Sequence, residues 1–461
     1  MLLHSLGFGG CLADDMGLGK TVQVLAFLSS LAREQHGQPA SLLILPASLL
    51  ANWAAEIKRF TPTLRFLMAH PSMGEMEIST GLDARKINAF DLVITTYGLA
   101  KRYYWIKSHR WRYVILDEAQ AIKNPNAAQT RAVKKLTCMN RLILTGTPIE
   151  NHLADLWSLF DFLNPGLLGA GAEFSRFCKH LDRKADHYGP LRRVIGPYIL
   201  RRLKTDRRII SDLPDKVEID SYAGLSKKQV VLYQDLVDRL KHALAAAEGI
   251  QRKGLVLASL IKFKQICNHP DQYLGQKSFA EEDSGKFQRL REICETIFEK
   301  RERALIFTQF RELTAPLDGF LTTIFGRRGL VLHGGTAVNK RQRLVADFQG
   351  EEYIPYFILS VKAGGTGLNL TAANHVIHFD RWWNPAVEIQ ATDRAFRIGQ
   401  HKNVVVHKFI TRGTVEEKIA RMIAEKKQLS EDVIGATGEQ WITEMNNEEL
   451  IDLFKMETVS L

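Results

Sequence analysis

Several things that this sequence lacks narrow it before any motif is read. Its five cysteines (Cys11, Cys138, Cys178, Cys267, Cys294) lie far apart with no C-x-x-C pair. That excludes a disulfide framework or zinc knuckle and fits a reducing compartment. Cys267 and His269 sit close together but have no matching partners for a metal. There is no secretory signal and no apolar run long enough to span a bilayer, so the chain reads as cytoplasmic, without a membrane partner. Nothing resembles a dinucleotide fingerprint. No reader module and no long basic tail is apparent. An excess of acid is also missing: 62 Lys and Arg stand against 51 Asp and Glu, a formal charge of +11. This points to a polyanionic partner such as nucleic acid, with a solvated basic surface as the plain alternative.

What is present is centred on Asp14-Asp15-Met16-Gly17-Leu18-Gly19-Lys20-Thr21. A short apolar run (Cys11, Leu12, Ala13) precedes it and an apolar segment from Val22 to Leu31 follows, which reads as strand, glycine-bearing loop, buried helix. That order turns backbone N–H groups and a helix N-terminus toward phosphates. Gly17 and Gly19 let the backbone approach, Lys20 reaches the β/γ-phosphates, and the Thr21 hydroxyl is placed for Mg²⁺. The strict pattern has Gly at the first position, where this chain has Asp14. A bland glycine turn before a helix is the alternative.

At 461 residues the chain has room for two or three domains of roughly 150 residues each. Continuous apolar runs at 42–45, 92–94, 113–116 and 142–144 read as buried parallel strands. They end in Pro46, Thr95-Thr96-Tyr97-Gly98, Asp117-Glu118-Ala119-Gln120 and Thr145-Gly146-Thr147-Pro148. Ligands of an open α/β sheet bind outside the carboxyl ends of its strands, so these clusters should converge beside the phosphate loop. Asp117 can complete a metal site begun by Thr21, and Glu118 can orient or deprotonate an attacking water. Acidic residues that merely cap a strand are the alternative. Thr145, Gly146 and Thr147 form a turn able to sense nucleotide.

From about Leu153 to Phe287 the strand signal largely disappears, and residues 156–163 read as a helix stopped by Asn164-Pro165-Gly166. Arg201, Arg202, Lys204, Arg207 and Arg208 read as a solvated face, with an inter-lobe or DNA-phosphate contact as the alternative. After Lys286 strand-sized runs return at 304–307, 330–332, 356–359, 376–379 and 404–406. This second parallel sheet has no phosphate loop of its own, which suggests a lobe that closes over the first lobe's nucleotide. Arg394 and Arg397, three apart, should share a helix face. Trp382 and Trp383 can stack on a nucleotide or belong to a core.

DDMGLGKT, LLILPASLLANW, ITTYG, DEAQ and LTGTPIEN, in this order and spacing, resemble the Swi/Snf-type DNA-translocating ATPases of helicase superfamily 2, over Leu3 to about Ile434. The resemblance implies an α/β fold of two RecA-like lobes with helical insertions between them. Its expected boundaries are 1–165 for the first lobe, 166–284 for helical protrusions and linker, 285–437 for the second lobe and 438–461 for a C-terminal helix. It implies ATP and Mg²⁺ as ligands. Residues 15–21 (Asp15, Met16, Gly17, Leu18, Gly19, Lys20, Thr21) would cradle the phosphates, with Asp117 and Thr21 on the metal and Glu118 activating water. Arg394 and Arg397 would be arginine fingers, with Phe396 where many members have His, and Gln390 and Gly365 would also line the nucleotide. Ser360, Lys362, Gly364, Gly365, Gly367 and Asn369 match the family's glycine-rich coupling motif. With Thr95, Thr96, Tyr97 and Trp383 they mark the expected DNA contacts.

The family's adenine-recognising segment lies upstream of the phosphate loop, and Leu3 to Gly7 resemble the tail of the helix that follows it. The expectation is therefore a fragment, a mis-started frame or half of a split protein, and the want of a reader module and of a long basic tail leans bacterial rather than eukaryotic. A bacterial member would be nucleoid-associated and a eukaryotic one nuclear. The reading is an ATP-driven translocase on double-stranded DNA that remodels or displaces a bound protein such as RNA polymerase. A strand-separating helicase and a catalytically impaired DNA-binding scaffold are its rivals.

Overall fold

A strand such as Leu42–Leu45 has no polar face to offer water and must be covered on both sides. The computed structural model describes residues 2–34, 38–71, 83–146, 153–181, 189–204, 206, 208–210, 213–361, 368–381, 385–430, 442 and 445–457. In it every residue of Ser41–Leu45 is buried. The chain divides into two compact units, changing over at residues 211/212.

The first unit is built on β1 (Gly10–Leu12), β2 (Ser41–Leu45), β3 (Phe66–Met68), β4 (Leu92–Thr96), β5 (Trp111–Leu116), β6 (Cys138–Leu144) and β7 (Ile199–Leu200). They form a parallel sheet in the order β3-β4-β2-β5-β6-β1-β7. The two-residue period of a strand sends alternate side chains to opposite faces. Leu42, Ile44, Val114 and Leu116 join Ile106 and Trp111 on one face. Leu43, Leu45, Tyr113 and Ile115 meet Leu25, Leu28, Trp53 and Ile57 on the other. Those last four come from the helices Lys20–Glu34 and Leu50–Phe60.

The chain enters β1 through a tight crossing. The Asn164 amide accepts from Gly9 N at 2.8 Å and donates to its carbonyl at 3.1 Å. A Cβ at Gly9 would lie 2.5 Å from the Leu163 carbonyl, so only glycine fits there.

The second unit carries β8 (Lys216–Ala223), β9 (Ala304–Thr308), β10 (Leu330–Leu332), β11 (Tyr356–Ser360), β12 (His375–His378) and β13 (Val404–Thr411). This sheet is also parallel, in the order β10-β11-β9-β12-β13-β8. A helical hairpin, Lys227–Ala246 and Gly249–Asn268, stands beside it, and the helix Asn447–Phe454 closes their shared core. The Phe263 ring stacks 4.7 Å from Phe454. Lys286 is fully buried and donates to Asn268 Oδ1 at 3.0 Å, the Phe379 carbonyl at 3.0 Å and Glu416 Oε1 at 2.8 Å. It ties hairpin to sheet.

β3, β7 and β8 were not among the expected strands, and β8 lies inside the stretch read as helical. Lys216-Val217-Glu218-Ile219-Asp220 alternates charge with apolar residues and is mostly exposed, as an edge strand with one neighbour can be. A search for continuous apolar runs passes over such a strand. β7 is two residues long.

Candidate nucleotide site

Gly17 and Gly19 have φ of +88° and +71°, the left-handed region where a Cβ would be strained. The space a Gly19 side chain would enter is open. Lys20 begins the helix, and its ammonium donates back to the carbonyls of Asp14 at 2.6 Å and Asp15 at 3.3 Å. A helix N-terminus behind a glycine loop is where an anionic ligand is stabilised.

The departure at Asp14 has a physical explanation in the fold. β7 runs on into a strap that pairs with the loop: Ala13 N donates to Leu200 O at 2.7 Å, and Asp15 N to Arg202 O at 3.1 Å. The strap answers by donating Arg202 N to Asp14 Oδ1 at 2.9 Å and Lys204 N to Asp15 Oδ2 at 3.0 Å. The Arg202 guanidinium grips the Asp14 carboxylate, with Nε 3.1 Å from both oxygens, and also reaches Gln23 Oε1. Asp14 is fully buried. Burial pushes its carboxyl up, but the hydrogen bonds from Arg202 and Gln23 outweigh that and hold it below the usual range. The solvated-face reading of the basic cluster is therefore corrected for Arg202 and Lys204, which turn into the lobe. Arg201 and Arg208 are exposed, as that reading had them. Arg207 lies outside the described residues.

Asp117 and Glu118 follow β5. Asp117 Oδ2 accepts from the Trp53 indole Nε1 at 2.8 Å, and Oδ1 from Glu118 N at 2.9 Å. Tyr97 OH donates to the Asp117 carbonyl at 2.8 Å. Enclosure by protein and the neighbouring Glu118 push the Asp117 carboxyl up to about 7, against the pull of Trp53 and of the Lys20 charge. Lys20 and Asp117 thus share one site.

Glu118 has φ 49° and ψ 55°, a left-handed conformation that costs a non-glycine residue roughly 1–3 kcal/mol. Gln120 Nε2 donates to its Oε2 at 2.7 Å, and Thr145 Oγ1 donates to Gln120 Oε1 at 3.4 Å. A chain of contacts thus runs from Glu118 to the turn after β6. In that turn a Cβ on Gly146 would lie 3.0 Å from Met16 Cγ, so the turn rests on the phosphate loop. Thr147 lies outside the described residues.

The donor set suits Mg²⁺. Each Asp117 oxygen accepts one hydrogen bond, from the Trp53 indole or from Glu118 N, and keeps a lone pair for a cation; Thr21 would add its hydroxyl. No group of three or more His, Cys, Asp or Glu among the described residues could hold a metal. One or two protein oxygens completed by phosphate and water is the coordination Mg²⁺ prefers.

A family model for the SNF2-related domain matches residues 2–272, and one for the helicase conserved C-terminal domain matches 285–399. The chain belongs to the SNF2 family. Its two sheets are accordingly the two RecA-like lobes of that family. It is 42% identical over 462 residues to YwqA of Bacillus subtilis (strain 168), named there as a candidate ATP-dependent helicase/translocase; the match covers 99% of this chain and 50% of YwqA. It is 33% identical over 472 residues to the human DNA excision repair protein ERCC-6, covering 94% of this chain and 31% of that protein. Among solved structures, the Sulfolobus solfataricus SWI2/SNF2 ATPase core in complex with dsDNA shares 40% identity, covering 99% of this chain and 95% of that one, with a TM-score of 0.49. The SNF2 chain spans about half the length of the first curated relatives it matches.

Other motif residues of this SNF2 chain fall as follows. Thr95 is fully buried and donates to the Ala69 carbonyl at 3.0 Å. Thr96 caps the helix Tyr97–Arg102, accepting from Leu99 N at 3.4 Å, and Tyr97 is buried. These three side chains are spent inside the lobe. In the second lobe Ser360 ends β11 and is buried, Asn369 is exposed, and Gln390 lies half-buried on the helix Pro385–Thr392.

That helix ends at Thr392, so Arg394 and Arg397 sit in the turns that follow and not on one helix face. The Gln400 side chain takes the place of further helical turns, donating to the carbonyls of Thr371 at 3.0 Å, Ala373 at 2.8 Å and Ala395 at 3.1 Å. Arg394 is fully buried and Arg397 half-buried. Lys362, Gly364, Gly365, Gly367, Trp382 and Trp383 lie outside the described residues.

Sequence reading assigned no role to Trp53, Gln120 or Gln23. The first two stand inside the motifs LLILPASLLANW and DEAQ, the signal the sequence offers for them; Gln23 has none.

Proposed function

We propose that this chain is the motor portion of an ATP-driven translocase on double-stranded DNA. The observation that carries the reading is the convergence of Lys20, Asp117 and Glu118 at the carboxyl edge of one parallel sheet. Membership of the SNF2 family and the ATP-dependent helicase names of its relatives support it. The excess of 62 basic over 51 acidic residues suits a polyanionic track.

In this reading the phosphate loop and Lys20 bind the triphosphate, and Glu118 orients the attacking water. Arg394 and Arg397 stabilise charge on the transferred group, worth about 10³–10⁵ in rate. Thr21 and Asp117 would hold Mg²⁺ with the nucleotide, and the ion would supply neutralisation of charge on the phosphate oxygens. Contacts to the DNA backbone give little sequence preference and a steep salt dependence. Displacement of a DNA-bound protein, such as RNA polymerase, is the work such motion would perform. Among the described residues no helix is long and apolar enough to cross a membrane, and the proposed setting is the cytoplasm.

The test is phosphate release with and without duplex DNA for the parent, Lys20→Ala and Arg397→Ala. DNA stimulation in the parent and its loss in both variants supports the motor; equal rates in all three remove it. Release of a triplex-forming strand without separation of the duplex distinguishes a translocase from a helicase.

A further inference from the structure

Asp14 does two jobs at once. Its main-chain carbonyl accepts the Lys20 ammonium at 2.6 Å, while its buried carboxylate takes Arg202. Gln23, in the first turn of the following helix, donates to Asp14 Oδ2 at 3.2 Å and to the Leu18 carbonyl at 3.0 Å. It accepts from the same guanidinium. Arg202 therefore touches the phosphate loop where it leaves β1 and where it enters the helix. It is fixed in turn by its own backbone, since its N–H donates to Asp14 and its carbonyl accepts from Asp15. In chain order the strap 199–204 leads to β8, the first strand of the second lobe.

We propose that Arg202 is a positioning residue for nucleotide. Through Asp14 and Gln23 it clamps the two ends of the phosphate loop, so that ATP affinity depends on a segment of the connection between the lobes. This rests on the motor reading for the identity of the ligand. Without the guanidinium, Asp14 is left as a buried carboxylate held only by the amides of Arg202 N and Gln23, and relief comes from moving the loop, which displaces the carbonyl on which Lys20 rests. The bulk of the motor, including Glu118 and the arginine turn, is untouched, so the loss falls on binding.

The experiment uses the full chain with fluorescent ADP and ATP analogues in Mg²⁺, the KM and kcat of DNA-stimulated phosphate release, duplex affinity, and thermal melting. Arg202→Gln is expected to weaken nucleotide binding and raise the ATP KM by about tenfold or more, the loss typical of a hydrogen bond to a charged group. Its kcat at saturating ATP and its duplex affinity stay within about twofold of the parent. Arg202→Lys, which keeps the charge but not the fork, falls between the two. Asp14→Asn/Arg202→Gln recovers affinity relative to Arg202→Gln alone, because no buried charge is left unpaired. The exposed neighbour Arg201→Gln leaves nucleotide affinity unchanged.

Parent-like binding and KM in Arg202→Gln overturn the proposal, as does an equal loss in Arg201→Gln. Should Arg202→Gln fail to fold, Arg202→Lys and the double variant decide it by the same measurements. A parent that binds nucleotide without hydrolysing it removes the motor reading, and the binding measurements alone then decide the clamp.

Discussion

The indole N–H of Trp53 is 2.8 Å from Asp117 Oδ2, joining a helix that packs beneath the sheet to the acid at the end of β5. That donor favours the ionised carboxyl that a metal needs, in a place where burial and Glu118 favour the proton. Trp53→Phe keeps the ring and removes the donor. A hydrogen bond to a charged group is worth ~1.5 kcal/mol and a pH unit ~1.36 kcal/mol, so the Asp117 titration should move up by about one unit. The sign follows from the folded state holding a proton that the unfolded chain releases. In EDTA, the Asp117 contribution to stability is present below about pH 4 and lost as pH rises through about 7. Trp53→Phe extends that loss to higher pH. Thermal melting against pH in EDTA, together with the apparent Mg²⁺ affinity for nucleotide binding at pH 6.5 and 8, reads both effects; superimposable curves would refute them.

On the proposed motor reading, Glu118 sets activity against stability. Glu118→Gly removes the left-handed strain but adds unfolded-chain entropy, so the unfolding free energy should be unchanged or higher by up to about 1 kcal/mol. Phosphate release should fall by about 10²–10⁴, the usual contribution of a positioned base. Urea unfolding and single-turnover hydrolysis on the same preparation check it. A variant that loses stability along with activity contradicts the strain assignment.

The clasp of Asn164 on Gly9 predicts a graded stability series. Asn164→Ala strips a buried N–H and a buried carbonyl of their partners, at roughly 1–3 kcal/mol each. Asn164→Asp keeps the acceptor for Gly9 N and, when protonated, a donor for its carbonyl, so at acid pH it should cost less. Gly9→Ala forces a Cβ onto a backbone oxygen and should cost about 1–3 kcal/mol. A denaturant midpoint lowered in Asn164→Ala and in Gly9→Ala, and less so in Asn164→Asp at acid pH, would confirm the close crossing.

In the second lobe Lys286 and Glu416 are a fully enclosed ion pair. Burial alone would raise the Glu416 carboxyl, but Lys286 and the Thr411 hydrogen bond hold it below its usual value. Lys286→Met should destabilise by ~3–5 kcal/mol because it strands that carboxylate, and adding Glu416→Gln should restore much of the loss. With the folded-state value depressed, the pair's contribution is present above the ordinary glutamate range and is lost as pH falls through the lower value. Unfolding curves of the single and double variants at two pH values test this.

Much of the first lobe was legible without coordinates, because a strand buried on both faces must be an unbroken apolar run and a phosphate loop needs glycine at fixed spacing. Residues 42–45, 92–94 and 113–116 announced their strands in this way. β8 did not, since an edge strand with one neighbour can alternate charge with apolar residues. The arginine turn also differed from the helix expected, because the side chain that ends it, Gln400, acts through carbonyls at 371 and 373 that lie far away in sequence.

By itself the chain's order of residues determined the family and the two parallel sheets and marked the glycine-loop and acidic motifs as candidates, since these depend on local spacing and on which side chains shun water. Only the tertiary structure decided that Arg202 belongs to the phosphate loop, that Trp53 serves Asp117, and that Thr95 and Tyr97 face inward. Each of these pairs residues tens to hundreds of positions apart, and nothing in local pattern ranks one distant hydrogen-bond partner above another. The packing of the sheet makes that choice.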